Sequence, residues 1–197
     1  MTEPHWADAD GLVDHVGVAM RAGGVFALPG GATPLPYFAE LAALQIEWDR
    51  VTLLPGDERQ VPYDDGLSNF GALRGAFGAT GAALLPLSED MAVPPLDLVW
   101  LGVGMDGHIA SIFPSLDPAR DAETNIIALT PDPLPPEAPV DRLTLSMATI
   151  ASAREIVLLI KGAAKRAAVE AALAGGTLPV ARLLRVTRRP VTIFWSA

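Results

Sequence analysis

An α/β fold with a parallel sheet covered on both faces by helices is what this sequence predicts. Short apolar runs alternate with segments of helical apolar spacing along the chain, and that alternation implies crossover connections between parallel strands. The polar clusters fall after apolar runs, at Gly30, Asp57 and Gly104. In parallel sheets ligands sit beyond the carboxyl ends of the strands.

The elements follow in order. Residues 25–29 (VFALP) are a buried strand ending at Gly30-Gly31. From Thr33 to about Leu44 the apolar residues recur at helical spacing, with Pro34 in the first turn, where its missing N–H costs nothing. Residues 51–54 form a second strand, stopped by Pro55-Gly56, and Asp57-Glu58-Arg59 follows as a charged loop. Residues 68–78 read as a helix with Ser68 as N-cap. The strand at 97–103 runs into Gly104-Met105-Asp106-Gly107-His108, then a short helix closed by Pro114. A strand at 125–129, a Pro-rich loop at 131–139, a buried strand at 156–160 and an Ala-rich helix at 163–174 come next. Gly175-Gly176 ends that helix, and 191–195 is the last strand. No repeat or change of composition divides the chain, so 1–197 reads as one domain.

Composition narrows the function. The 197 residues contain no Cys, which removes disulfides, cysteine nucleophiles and thiolate metal sites. Lys and Arg number 14 against 23 Asp and Glu, a net charge of −9. A nucleic-acid binder needs a basic surface to displace counterions, so none is expected as a partner. Half the residues are hydrophobic and mean hydropathy is +0.33, against disorder. No apolar stretch approaches the ~18 residues of a membrane span. The first ten residues lack the basic start of an export signal. A cytoplasmic protein is expected, and a small anionic ligand would need a local basic cluster.

Gly30-Gly31-Ala32-Thr33-Pro34 joins a strand to a helix N-terminus, where free N–H groups and the Thr33 hydroxyl suit a phosphate. The plainer alternative is a glycine turn capped by Thr33. Arg59 stands just beyond a strand, where it could face a phosphate or an oxyanion, although charge runs are usually solvated loops. His108 follows a strand at a tight glycine turn, placed as a general base, with Asp106 able to orient it. Lone histidines are more often caps or packed residues; here the neighbouring clusters favour function. The third glycine is misplaced for a dinucleotide-binding fingerprint. Lys165 opens a helix, an unfavourable place for a cation unless an anion lies near. Arg142 is the remaining basic candidate.

With these pieces in order, the sequence resembles the 6-phosphogluconolactonase family. The matching blocks are GGATP at 30–34, GDERQVP at 56–62, SN at 68–69, LGVGMDGHIASIFP at 101–114, RLTL at 142–145 and KGAAK at 161–165. LPVARLL at 178–184 is also similar. The resemblance implies a three-layer α/β/α sandwich with a mostly parallel, Rossmann-like sheet. It implies hydrolysis of a sugar-phosphate lactone to 6-phosphogluconate in the oxidative pentose phosphate pathway, with no metal or organic cofactor. His108, Asp106 and Arg59 would be catalytic. Gly31, Ala32, Thr33, Asp57, Ser68, Arg142 and Lys165 would bind substrate. The related glucosamine-6-phosphate deaminases usually have Tyr where Arg59 stands, and Phe-Asn-Glu-Pro where this chain has Ser111-Ile112-Phe113-Pro114. Both differences favour the lactonase over a deaminase or isomerase. A non-catalytic sugar-phosphate sensor would have no need of the His108 and Arg59 pair. The chain departs from the family pattern in a trimmed stretch from Ala72 to Leu87. It also lacks the usual acidic residue near Trp195-Ser196-Ala197. Oligomeric state is not legible.

Overall fold

The computed structural model describes residues 3–197. The elements run β1 (His5–Asp8), α1 (Leu12–Arg21), β2 (Gly24–Leu28), α2 (Leu35–Ala42), β3 (Val51–Pro55) and β4 (Asp57–Arg59). They continue with α3 (Asn69–Phe77), β5 (Ala83–Leu84), β6 (Leu98–Gly102), β7 (Ile126–Leu129) and β8 (Arg142–Leu145). Last come α4 (Met147–Ser152), β9 (Glu155–Lys161), α5 (Ala163–Leu173), α6 (Pro179–Val186) and β10 (Val191–Ser196).

A seven-stranded sheet in the order β1-β10-β9-β6-β2-β3-β5 forms the middle layer, and all its pairings are parallel. The strands are apolar on both faces because both faces are covered. Side chains alternate between two cores. Phe26, Leu28, Leu98, Trp100, Val157 and Leu159 pack with α1, α2 and α3 through Val16, Met20, Phe38, Leu41, Leu73 and Phe77. Ala27, Val99, Leu101, Ile156, Leu158 and Ile160 face the opposite side. There they meet Met147 and Ile150 of α4, Val169 of α5, and Val180, Leu183 and Leu184 of α6. The molecule is an α/β/α sandwich, with the strand order built by crossovers. Among the described residues no helix is long and apolar enough to cross a membrane.

Several expectations need correction. The segment after His108 is not a helix. It is a chain of turns with an isolated bridge between Ile109 and Ile112, and Ala110 has φ 48°, a left-handed conformation that interrupts any right-handed helix. Ile109 and Ile112 are both fully buried, so core packing sets this path. The strand at 126–129 lies outside the central sheet, in a three-stranded antiparallel sheet β4-β8-β7. Asp57-Glu58-Arg59 is a strand of that sheet rather than a loop. β1, α1, β8, α4 and α6 were not expected as elements from the spacing of apolar residues. α6 follows α5, so the helix that Lys165 opens is not the last.

The charged run forms a strand because its side chains alternate in direction. Asp57 and Arg59 face a cleft at the end of the sheet, while Glu58 points to α3. Glu58 is 4% exposed. Its carboxylate accepts from Asn69 N at 2.8 Å, Phe70 N at 2.7 Å, Ser68 Oγ at 3.0 Å and Arg59 N at 2.7 Å. Ser68 caps α3 as expected, accepting from Gly71 N at 2.9 Å. The N-terminus of α3 is thus neutralised by a buried carboxylate delivered from β4.

On the other side, His15 of α1 contacts Glu155 of β9 at 2.6 Å, with the imidazole edge-on to Phe194. The hydrogen bond to Glu155 raises the His15 pKa above 6.5, opposed by burial.

Two outcomes are expected. Replacing Glu58 with Ala strands the N–H groups of Asn69 and Phe70 and should cost about 2–4 kcal/mol in urea unfolding. A loss under about 0.5 kcal/mol, the level of an ordinary surface change, would show that water replaces the carboxylate. The His15–Glu155 contact contributes stability fully below the unfolded histidine pKa and loses it as pH rises through the raised folded value. The stability gap between the protein and its His15→Gln variant should therefore shrink as pH rises above the ordinary histidine range near 6.5. A gap that widens with pH would contradict the assignment.

Candidate active site

The carboxyl ends of β2, β3, β6 and β9 converge on one cleft of about 340 Å³. The loop after β2, the β4–β8 pair, the turn after β6, the Pro-rich loop and the start of α5 all contribute to its lining.

The loop after β2 brings Gly30, Gly31, Thr33 and Pro34 to the cleft. α2 starts at Leu35, with Pro34 in the N-cap position, later than the sequence spacing predicts. Among the described residues the backbone N–H groups of Gly31, Ala32 and Thr33 find no acceptor in the protein. Gly31 has φ 83°, and a Cβ there would meet nothing, so its glycine serves the turn. At Gly30 a Cβ would stand 2.0 Å from Asn69 Oδ1, so that glycine serves the close packing of the loop on α3.

Asp106 and His108 form the turn after β6. Gly104 N donates to His108 O at 2.9 Å and Gly107 N to Gly104 O at 3.0 Å, closing it tightly. His108 Nδ1 lies 2.7 Å from Asp106 Oδ1, and the backbone N of His108 donates to the same oxygen at 3.2 Å. A Cβ on Gly104 would fall 2.2 Å from His108 Nδ1 and 2.6 Å from Asp106 Oδ1. Only glycine leaves room for this pair to fold over the turn. The imidazole packs on Phe113, ring centroids 5.0 Å apart. With Nδ1 held by the carboxylate, Nε2 is the nitrogen left for another partner. Asp106 itself does not line the cleft; His108 does.

β4 and β8 pair Arg59 with Arg142 and Asp57 with Thr144. Asp57 is 8% exposed and its carboxylate is spent inside the protein: Ser111 Oγ donates to Oδ2 at 2.5 Å and Asn69 Nδ2 to Oδ1 at 3.2 Å. Arg59 Nη1 donates to Leu67 O at 2.7 Å, while its buried Nε has no partner. Arg142 is 3% exposed and donates to the carbonyls of Ala138 and Val140, tying down the end of the Pro-rich loop. Burial draws the Arg142 guanidinium below its ordinary pKa, and the neighbouring Arg59 charge adds to that. A cleft holding such a pair of arginines favours an anion.

Of the residues singled out in the sequence, His108, Arg59, Gly31, Thr33, Asp57, Arg142 and Lys165 line the cleft. Ala32 is exposed between Gly31 and Thr33, outside the lining. Ser68 is the correction. It is 3% exposed, away from the cleft, and its hydroxyl is engaged with Glu58 and Gly71. It acts on α3 rather than on a ligand. Sequence reasoning missed Lys161, Ser111, Glu137, Trp100 and Phe113, which also line the cleft. Ser111 and Phe113 lie within the most specific sequence block, which was the available signal. Glu137 sits in an otherwise uninformative Pro-rich loop. Among the described residues no group of three or more His, Asp or Glu side chains is placed to hold a metal ion.

Residues 9–92 and 80–195 match the family described as glucosamine-6-phosphate isomerases/6-phosphogluconolactonase. A 6-phosphogluconolactonase of Caulobacter vibrioides is 36% identical, over 87% of this chain and 82% of its own. That of Mesorhizobium japonicum is 37% identical, over 91% and 84%. The crystal structure of a 6-phosphogluconolactonase from Shewanella baltica superposes with a TM-score of 0.85 at 27% identity, covering 100% of this chain and 98% of that one. With fold, cleft and sequence in agreement along nearly its whole length, the chain belongs to the glucosamine-6-phosphate isomerase/6-phosphogluconolactonase family.

Proposed function

We propose that the protein hydrolyses 6-phosphogluconolactone to 6-phosphogluconate, a cytoplasmic step of the oxidative pentose phosphate pathway. The observation that carries the mechanism is the Asp106–His108 pair, whose imidazole lines a cleft rich in cations. The relatives named 6-phosphogluconolactonase supply the substrate.

A lactone is an activated ester, so no covalent nucleophile is needed. Asp106 holds a proton on Nδ1 and leaves the Nε2 lone pair free. Nε2 takes a proton from water as the water oxygen attacks the lactone carbonyl. The tetrahedral intermediate collapses, the C–O bond to the ring oxygen breaks, and protonated His108 returns the proton to that oxygen. Asp106 stabilises the imidazolium in between. The free N–H groups at Gly31, Ala32 and Thr33 and the Lys165 ammonium receive the phosphate. Arg59 and Arg142 meet the remaining negative charge. Asp57 acts by fixing Ser111 and Asn69 rather than by touching substrate.

The test is the decay of freshly generated 6-phosphogluconolactone with and without protein, corrected for spontaneous hydrolysis. His108→Ala should lower kcat about 10²–10⁴-fold while phosphate affinity stays largely intact. Wild-type turnover in a folded His108→Ala variant would remove His108 from the role. Background decay with wild-type protein would reject the reaction, and ammonia release from glucosamine 6-phosphate would then be measured. Lys165→Ala should act mainly on KM. A fall in kcat at unchanged KM would place Lys165 in the chemistry instead of at the phosphate.

A further inference from the structure

We propose that Lys161 is a second cation of the phosphate subsite, so that the substrate's phosphate is gripped by a pair of lysines. This rests on the proposed lactonase function and assigns Lys161 a specificity role within it.

The chain contains only two lysines, Lys161 and Lys165, and both line the same cleft. The other basic residues are arginines, most of them outside the cleft. Lys161 is the last residue of β9, register-paired with Ser196 of β10, at the strand end where ligands of parallel sheets bind. Gly162 follows with φ 84° and ψ 156°, a conformation open to glycine, and turns the chain into α5 with Lys165 in its first turn. One strand end and one helix start thus bring both lysines to the cleft.

The Lys161 ammonium lies 5.4 Å from the centroid of the Tyr37 ring. Tyr37 belongs to α2, the helix that follows the Gly31–Thr33 donor loop. The cation thus rests against the helix that follows that loop, at a ring that does not itself line the cleft. Among the described residues Lys161 has no carboxylate within salt-bridge distance. Each of the arginines 50, 120, 154, 166 and 182 has one. In a chain of net charge −9, a lysine placed by a strand end yet lacking an acid is free for an anionic ligand.

The competing role is structural: a cation–π strut between β9 and α2, worth little at an exposed site. Lys161→Gln keeps most of the stem and removes the charge; Lys161→Arg keeps the charge. Each is compared with wild type by kinetics with the phosphorylated lactone and with unphosphorylated δ-gluconolactone. Inorganic phosphate binding is measured by calorimetry, and melting temperature is recorded. Loss of one charge-assisted contact to phosphate should raise KM for the phosphorylated lactone and the phosphate Kd about tenfold in Lys161→Gln. The preference for phosphorylated over unphosphorylated lactone should fall by the same factor, and Lys161→Arg should restore most of it. Unchanged phosphate Kd and unchanged preference in Lys161→Gln overturn the proposal, as does a lowered melting temperature with both intact, which is the signature of the strut. If wild type turns over no lactone, the lactonase function fails, while calorimetry still decides for or against Lys161 as a phosphate contact.

Discussion

The cleft depends on where the Glu58 carboxylate goes. A three-residue strand with a charge at every position is unstable unless its inward side chain is satisfied. Glu58 is satisfied by the open N–H groups of α3, and α3 is in turn capped by Glu58 and Ser68. Each half completes what the other lacks. Because Glu58 is fixed inward, the period of two along β4 sends Asp57 and Arg59 the other way, into the cleft. Asp57 then holds Ser111 and Asn69, and Asn69 packs so closely on the loop after β2 that residue 30 must be glycine. One buried carboxylate therefore ties together the charged strand, the helix and the loop after β2.

A similar economy shapes the turn after β6. Its glycines serve separate needs. Gly104 clears the space that the imidazole and carboxylate occupy, whereas Gly107 adopts φ 78° and lies against Leu178 at the entry to α6. Val180 N donates to Gly107 O, so the turn bearing His108 is anchored on α6 as well as on β6. Arg182 of α6 is itself held by Asp121, at 2.8 Å from Nε to Oδ2, in a largely buried pair. His108 is thus positioned by packing and hydrogen bonds that lie outside the cleft.

The main layers were legible because parallel strands buried on both faces leave unbroken apolar runs, as at 97–103 and 156–160. That His108, Arg59 and the Gly31–Thr33 loop stand together at the strand ends was legible because each follows such a run. What escaped detection has physical reasons too. β4 is polar throughout, so its hydrophobic pattern is blank and only its pairing with β8 reveals it as a strand. The segment after His108 has helix-compatible residues, yet burial of Ile109 and Ile112 overrides them. Ser68 reads correctly as a cap, but its one O–H is donated to Glu58, away from the cleft, which the sequence does not reveal. Lys161 opens the KGAAK block, yet a charge ending a strand is ordinary until the fold brings it to the cleft.

Charge explains why the cleft is built this way. A protein of net charge −9 offers an anionic substrate little long-range attraction. At physiological ionic strength that repulsion is screened beyond roughly 8 Å, so binding is decided by the groups the substrate meets locally. Those groups are arranged before it arrives. Arg142 is buried and held by the carbonyls of Ala138 and Val140, and its neighbour Arg59 is held by that of Leu67. Among the described residues neither is paired with a carboxylate at salt-bridge distance. Carbonyl partners fix a guanidinium without neutralising it, whereas a salt bridge would do both. The cost is visible in the lowered Arg142 pKa, caused by burial and by Arg59. The proposed anionic substrate would offset that repulsion where it lies near the two guanidiniums, as a neutral one would not.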